Sequence, residues 1–190
     1  MLVECARLQT RKRWILVLPF AAFVILAGWF IHSLQVTGTG ITPSLGPSTL
    51  IDRPVPEFDL PALGAGRARL ASADLKGRVT LIGFFASWCM PCRAELPVLM
   101  GLASKNIVLV GIAYKDKPTD TKAWLGALGN PYRVVAVDAH GKAGLAFGVD
   151  GVPQTYLVDK QGVIRFQQSG PLTDDIVKTR LIPLMDKLNR

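Results

Sequence analysis

Residues 79–104 read VTLIGFFASWCMPCRAELPVLMGLAS, and their pattern is the most informative one in the chain for its fold. Its first part, residues 79–85, is mostly apolar and rich in β-formers, which is typical of a buried strand. Its second part, residues 89–104, carries apolar side chains at helical spacing, namely Leu96, Leu99, Met100 and Ala103. The pattern therefore predicts a strand that ends just before a Cys-x-x-Cys motif and a helix that opens at the motif.

Cys89 and Cys92 are separated by two residues at this junction, and such a pair can close a small disulfide and reopen it. A cysteine at a helix N-terminus faces unpaired backbone N–H groups and the positive end of the helix dipole, which favour its thiolate. The thiolate is the species that attacks disulfides. We therefore predict that Cys89 is the nucleophile and Cys92 the resolving thiol, with Pro91 restricting the backbone between them.

The other cysteines and histidines do not favour a different use of this pair. The third cysteine, Cys5, precedes a long apolar segment, and His140 is the only histidine of residues 53–190. A structural zinc site normally needs four ligands, and attachment of c-type haem needs His where this chain has Arg93. A structural disulfide usually closes a longer loop. We predict a redox-active Cys89–Cys92 disulfide with neither a metal nor a cofactor.

An apolar segment near the N-terminus predicts a membrane anchor. Residues 14–31 carry no charge and would span about 27 Å as a helix, close to the hydrocarbon core of a bilayer. Basic residues precede this segment, so the positive-inside rule places the N-terminus in the cytoplasm and the rest of the chain outside. A cleaved signal peptide is the alternative, although its apolar region is usually shorter and ends at small residues. Both interpretations export the C-terminal part.

The predicted organisation has four parts. Residues 1–13 form a cytoplasmic N-terminus, 14–36 the transmembrane anchor, 37–52 a flexible linker rich in Gly, Thr, Pro and Ser, and 53–190 a globular domain. The net charge is +8. Because the basic residues of the domain form no run and do not alternate with aromatic residues, we predict no nucleic-acid partner.

Strands and helices alternate along the rest of the domain. Further strands are predicted at residues 107–114, 134–137, 155–158 and 163–168, the last two forming a hairpin. Further helices are predicted at residues 119–128, 142–147 and 173–190. This order predicts an α/β fold with a mixed central sheet flanked by helices.

Two further residues are candidates for the site, but their spacing in the sequence alone does not establish their roles. Glu95 lies three residues after Cys92, so its carboxylate could disfavour a neighbouring thiolate or relay its proton. A solvent-facing glutamate on an amphipathic helix explains Glu95 equally well. Pro153 precedes a predicted strand, and a cis bond there would leave a backbone edge open to a partner peptide. Because only about 5–6% of X–Pro bonds in folded proteins are cis, the sequence alone favours an ordinary loop proline.

The motif set carries a family resemblance. Trp88-Cys89-Met90-Pro91-Cys92, followed about 60 residues later by Gly-Val-Pro-x-Thr and a hairpin, resembles the thioredoxin-like fold over residues 53–190. More narrowly, the chain resembles the membrane-anchored thiol:disulfide interchange proteins of cytochrome c maturation, the DsbE/CcmG type of the redoxin/TlpA-like family. The matching stretches are Trp88-Cys89 with Cys92-Arg93-Ala94-Glu95, Tyr114-Lys115-Asp116, Gly129-Asn130-Pro131-Tyr132 and Gly148-Val149-Asp150-Gly151-Val152-Pro153.

The resemblance implies that Pro153 is the cis-proline facing the disulfide and that Glu95 is the family's acidic residue near the cysteines. It implies a protein-disulfide oxidoreductase on the periplasmic side of the inner membrane. Its dithiol would keep the haem-binding cysteines of apocytochrome c reduced, directly or through an intermediary maturation thiol protein. Electrons would arrive from a membrane reductase of the DsbD/CcdA type. Trp88, Pro91 and Gln154 would support the site.

Two positions depart from the family pattern. Gln154 stands where family members often carry Glu, and an amide does not ionise, so any tuning of the cysteine pKa values from this position is weakened. Gly83 stands where ordinary thioredoxins have a buried Asp, which leaves Glu95 as the better candidate for proton handling. The client also stays open. The alternatives are a TlpA/ResA-like reductant for an exported copper site, a general dithiol oxidant, and a tethered module that binds copper or apoprotein without catalysis.

Overall fold

The computed structural model describes residues 20–29, 50–64, 68–104 and 107–190. The chain divides into two compact units, Met1–Gly46 and Pro47–Arg190. In the first unit, residues 20–29 form a helix, α1, whose side chains are mostly exposed. In the part of the chain that the structure describes, no helix has the length and apolar character needed to cross a membrane. The remainder of the predicted anchor, the predicted cytoplasmic segment and nearly all of the predicted linker lie outside the described residues.

A five-stranded sheet forms the centre of the second unit, in the order β5-β4-β3-β6-β7. Its strands are β3 (Thr80–Phe85), β4 (Val108–Tyr114), β5 (Val134–Asp138), β6 (Gln154–Val158) and β7 (Ile164–Ser169), and β1 (Asp59–Pro61) pairs with β2 (Arg69–Ala71) in a separate ribbon. The central strand β3 runs parallel to β4 and antiparallel to β6. The predicted mixed sheet is therefore confirmed, and β3 carries the disulfide motif at its C-terminal end.

The helices are α2 (Met90–Ala103), α3 (Pro118–Leu128), α4 (Lys142–Ala146), α5 (Asp174–Ile176) and α6 (Ile182–Asn189). The last helix predicted from sequence is not uniform, because a π-helical turn, Val177–Leu181, joins α5 to α6. There the Ile182 N–H donates to the carbonyl of Val177, five residues back. Pro183 follows directly. It has no N–H and its ring would clash with the carbonyl four residues back, which accounts for the wider turn.

The two faces of the sheet bury separate apolar layers. Alternate residues of a strand point to opposite faces, so Leu81 and Phe85 line one face while Ile82 and Phe84 line the other. The first layer contains both cysteines and packs under α2 and the C-terminal helix, and we call it the cysteine layer. The second layer packs under β1, β2 and α4.

A tyrosine ring fills a gap that two glycines leave in the cysteine layer. Gly83 of β3 and Gly111 of β4 are paired in register, and the ring of Tyr132 lies over both. Tyr132 also stacks on Phe85, with ring centroids 4.9 Å apart and an interplanar angle of 16°. The absence of a side chain at Gly111 is therefore a packing requirement, whereas a Cβ at Gly83 would meet the Tyr132 ring at an ordinary contact distance of 3.5 Å.

We expect Gly111→Ala to lower the free energy of unfolding by about 1–3 kcal/mol, the usual cost of overpacking a core. The added Cβ would lie 2.8 Å from Tyr132 Cγ and 2.9 Å from Phe85 Cε1. Chemical denaturation measures the change. Gly101→Ala is the matched control, because Gly101 is exposed in α2 with no atom within 4 Å of the added Cβ. An equal loss in both variants would contradict the packing argument.

Candidate active site

The structure places the two cysteines at the junction of β3 and α2, joined by a disulfide with an S–S distance of 2.06 Å. Cys89 is the N-cap residue of α2, and its Sγ accepts a hydrogen bond from the backbone N–H of Cys92 at 3.1 Å. Pro91 lies in the first turn, where its missing N–H leaves no helix bond unmade. An N–H donor aimed at Cys89 Sγ stabilises negative charge on that sulfur once the disulfide is reduced.

The disulfide is buried between exposed apolar neighbours. Cys89 is 4% exposed and Cys92 is 1% exposed, whereas Trp88 and Met90 are 59% and 72% exposed. Of the two cysteines, Cys89 is slightly the more exposed, and it lies at the start of the helix. A partner that reaches Cys89 also meets these two large side chains.

The loop before β6 lies against the disulfide from the other side. The Val152–Pro153 peptide bond is cis, the isomer that the family resemblance implies. The carbonyl oxygen of Val152 lies 3.5 Å from Cys89 Sγ, although the two residues are 63 positions apart in the chain. Cys89 is therefore bracketed by the N-terminal end of α2 and by this loop.

Asp116 holds the segment that leads into the motif. Its carboxylate accepts hydrogen bonds from the N–H and Oγ of Ser87, from the N–H of Lys117 and from Oγ1 of Thr121, at 2.7–2.9 Å. Trp88 Nε1 donates to the carbonyl of Lys115 at 3.4 Å. From the sequence, Asp116 was only part of a stretch that matches the family. Its position two residues after a buried strand and two residues before a helix was the available signal for this role.

Glu95 is buried in α2, which excludes the solvent-facing alternative. It is 3% exposed, and its Oε2 accepts a hydrogen bond from the backbone N–H of Leu172 at 2.9 Å. Burial raises the pKa of Glu95 to about 7, and the bond from Leu172 opposes this rise in part. A carboxyl group that titrates near neutral pH, one helical turn from Cys92, can accept or release a proton during thiol exchange.

The hydroxyl group of Tyr132 lies close to Gly83, the position at which the sequence lacks an acid. A Cβ at Gly83 would lie 3.5 Å from the hydroxyl oxygen of Tyr132. Burial, and secondly the charge of Glu95, raise the pKa of Tyr132 far above its usual value, so the phenol stays neutral. The missing acid at Gly83 was evident from the sequence, but the packing of Tyr132 over Gly83 was not, although Tyr132 belongs to a stretch that matches the family.

Gln154 lies at the start of β6 on the face of the sheet that carries the second layer. It is fully buried, and its Nε2 donates to the hydroxyl of Tyr156, which in turn donates to the carbonyl of Phe147, each at 2.8 Å. Oε1 of Gln154 has no hydrogen-bond partner among the described residues. Gln154 therefore supports the loop after α4 and does not share the cysteine layer.

The mixed sheet, the Cys-x-x-Cys disulfide at a helix N-terminus and the proline loop facing it define a thiol:disulfide oxidoreductase of the thioredoxin-like class. The sequence of residues 51–181 matches the Redoxin family. The chain belongs to the Redoxin family.

Nearly the whole chain is similar in sequence to known proteins. This chain is 42% identical over 177 residues to thiol:disulfide interchange protein DsbE of Pseudomonas aeruginosa, covering 93% of this chain and 96% of that protein. It is 35% identical over 180 residues to DsbE of Escherichia coli K12, covering 94% and 97%. A DsbF homologue from Corynebacterium diphtheriae has the same fold, with a TM-score of 0.60 and 24% identity over 72% of this chain and 87% of that structure. The predicted resemblance to DsbE is thereby confirmed.

Proposed function

We propose that the protein is a periplasmic, membrane-anchored reductase that keeps the haem-binding cysteines of apocytochrome c reduced. The observation that carries the proposal is the position of Cys89 Sγ, between the N–H of Cys92 and the carbonyl of Val152. In this position the sulfur is next to a helix N–H that favours its thiolate and next to a backbone carbonyl against which an extended client chain can lie. The similarity to DsbE along the chain supports the choice of class, and the family resemblance of the motifs supplies the client.

In the proposed reaction, the Cys89 thiolate attacks one sulfur of a client disulfide, and the other client sulfur leaves as a thiolate that takes up a proton. Cys92 then transfers its proton to the carboxylate of Glu95 and attacks Cys89 Sγ. The mixed disulfide breaks, and the second client sulfur leaves and is protonated. Two electrons pass from the Cys89–Cys92 dithiol to the client, and the Cys89–Cys92 disulfide forms.

The client is proposed to lie along the edge formed by Val152 and Pro153. An extended peptide can pair with a free backbone edge there, as in strand addition. The exposed Trp88 and Met90 would then cover the apolar side chains next to the client cysteines. Pro91 supports this arrangement from the first turn of α2, and Gln154 supports it only through its place directly after Pro153 at the start of β6.

The anchor and the electron source complete the proposal. Residues 14–36 would hold the domain to the inner membrane through the linker 37–52, with residues 1–13 in the cytoplasm and residues 53–190 in the periplasm. A membrane reductase of the DsbD/CcdA type would return electrons to the disulfide. A maturation thiol protein is the second proposed partner, between this dithiol and apocytochrome c.

Cells that carry Cys89→Ser in the full-length protein should lose most of their haem-attached cytochrome c, because apocytochrome cysteines then stay oxidised. Haem-stained gels measure the loss, and a small thiol reductant in the medium should restore the cytochrome. Wild-type Cys89 and Cys92 should be mostly reduced in these cells, with a reduction potential nearer about −270 mV than about −120 mV. Normal cytochrome c with Cys89→Ser, or a mostly oxidised wild-type pair, would contradict the proposal.

A further inference from the structure

The loop between β7 and α5 binds both sides of the active site through its backbone. The N–H of Gly170 donates to the carbonyl of Pro153 at 3.0 Å. Two residues later, the N–H of Leu172 donates to Oε2 of Glu95 at 2.9 Å. Pro171 between them has no N–H. Both backbone donors of residues 170–172, which we call the bridging loop, are therefore committed to the site.

The path of the chain explains how one short loop reaches both partners. In the β6–β7 ladder Gln154 pairs with Ser169, and the bond from Gly170 extends this ladder to Pro153. Gly170 then has φ = +84°, a conformation that L side chains rarely adopt. This turn sends Leu172, which is 2% exposed, into the cysteine layer.

The contacts close a ring around the disulfide. From Cys89 the ring runs along α2 to Glu95, across to the bridging loop, back through Gly170 to Pro153, and from the carbonyl of Val152 to Cys89 Sγ. The start of α2 and the proline loop are 63 positions apart in the chain. Their separation is therefore set by tertiary contacts, which are the pairing of Phe84 with Gln154 between β3 and β6 and the cross-links of the bridging loop.

We infer that the bridging loop is a positioning element for thiol exchange, which sets the Val152–Pro153 edge at the correct distance from Cys89 Sγ. The inference rests on the proposed role of that edge in holding the client backbone. In the mixed disulfide, the client sulfur is bonded to Cys89 while the client backbone lies on the edge. A small shift of the edge therefore slows exchange with a peptide, since reacting atoms must be held in register.

A small disulfide that does not pair with the edge does not need the bridging loop. If the bridging loop positions the edge, a change in the loop should slow the reduction of a peptide disulfide more than that of a small disulfide. A merely structural role would not produce this difference. An oxidised peptide without a haem-binding motif serves as the first substrate and dithiobis-nitrobenzoate as the second. Because neither is an apocytochrome, an error in the proposed client leaves this experiment unaffected.

We expect Gly170→Ala in the full chain to slow the reduction of the peptide disulfide about tenfold, the effect of losing roughly one hydrogen bond. The rate with dithiobis-nitrobenzoate should stay within about twofold. Gly77→Ala is the matched control. Gly77 has φ = +88° and, like Gly170, no atom within 4 Å of an added Cβ, but it precedes β3 at the end opposite the disulfide. Both rates should stay within about twofold in this control.

Equal slowing with both substrates, or the same peptide defect in Gly77→Ala, would overturn the inference. Hydrogen exchange gives a second readout, in which the amide of Leu172 loses protection in Gly170→Ala and keeps it in Gly77→Ala. Full protection of Leu172 in Gly170→Ala would also overturn the inference. If Gly170→Ala does not fold, Pro171→Ala relaxes the loop without a side chain at positive φ. We expect the same substrate difference from it, at about threefold, and equal rates would overturn the inference.

Discussion

Cys92→Ser should stop thiol exchange at a stable mixed disulfide with the client, whereas Cys89→Ser should lose exchange altogether. Cys89 is the more exposed residue of the pair and its Sγ accepts the N–H of Cys92, so we expect this sulfur to make the first attack. Cys92 is 1% exposed and is bonded to Cys89 in the disulfide, so a client meets it less readily. Loss of a nucleophile typically lowers turnover by at least about a thousandfold. Mass spectrometry of the adduct and the rate of peptide-disulfide reduction measure the two outcomes.

Both substitutions belong in a Cys5→Ser background, so that only the motif cysteines can react. Cys5→Ser alone is the control and should exchange at the wild-type rate. One adduct per chain through Cys89 is the expected result for Cys92→Ser. An equivalent adduct through Cys92 in the Cys89→Ser variant would reverse the assigned roles. If neither variant forms an adduct, the Cys89–Cys92 motif does not carry out the exchange.

Local sequence patterns correctly predicted the helices and strands whose formation depends on neighbouring residues. The helix predicted at residues 89–104 is observed as Met90–Ala103, with Cys89 and Ser104 as its two caps. The helix predicted at residues 119–128 begins one residue earlier at Pro118, a residue that suits the first turn of a helix. The predicted hairpin, β6–β7, is also present. These elements are determined by neighbours within a few positions.

Features that depend on distant parts of the chain were not predictable in this way. The burial of Glu95 depends on Leu172, which is 77 positions later in the sequence. The support of Ser87 by Asp116 spans 29 positions, and the ring of Tyr132 over Gly83 depends on the pairing of β3 with β4. The cis bond at Pro153 was expected only from the family resemblance, because the frequency of cis proline bonds alone favoured the trans isomer. Spacing identified the candidate residues, and tertiary contacts determined their environments.

Glu95→Gln should stabilise the oxidised protein relative to wild type, increasingly as the pH rises. Burial raises the pKa of Glu95 from 4.5 to about 7. Below pH 4.5 the carboxyl is protonated in both folded and unfolded chains, so it adds no pH dependence. Between pH 4.5 and 7 the unfolded chain releases this proton and the folded chain retains it, so wild-type stability falls. The penalty reaches about 3 kcal/mol above pH 7, and glutamine does not incur it.

Denaturation of both proteins at pH 4, 6 and 8 measures this difference in stability. The contributions of the other carboxylates cancel in the comparison because both chains contain them. Glutamine keeps an oxygen that can accept the N–H of Leu172, so the packing of the loop is preserved. Glu57→Gln is the matched control, since Glu57 is exposed. We expect it to change stability by no more than about 0.5 kcal/mol at each pH. A Glu95→Gln protein that is less stable than wild type at pH 8 would contradict the assigned burial penalty.

The same variant should lose activity while it gains stability, and this opposition identifies the carboxyl as functional. Without a base near Cys92, the resolving attack should slow by about a hundredfold, the lower range for general-base catalysis. The mixed disulfide would then persist longer than in wild type but, unlike in Cys92→Ser, would still resolve. A buried carboxylate that destabilises the fold is the kind of local conflict expected at a functional site. Gln154, already an amide, has no such constraint, which agrees with its place in the second layer, apart from the cysteines.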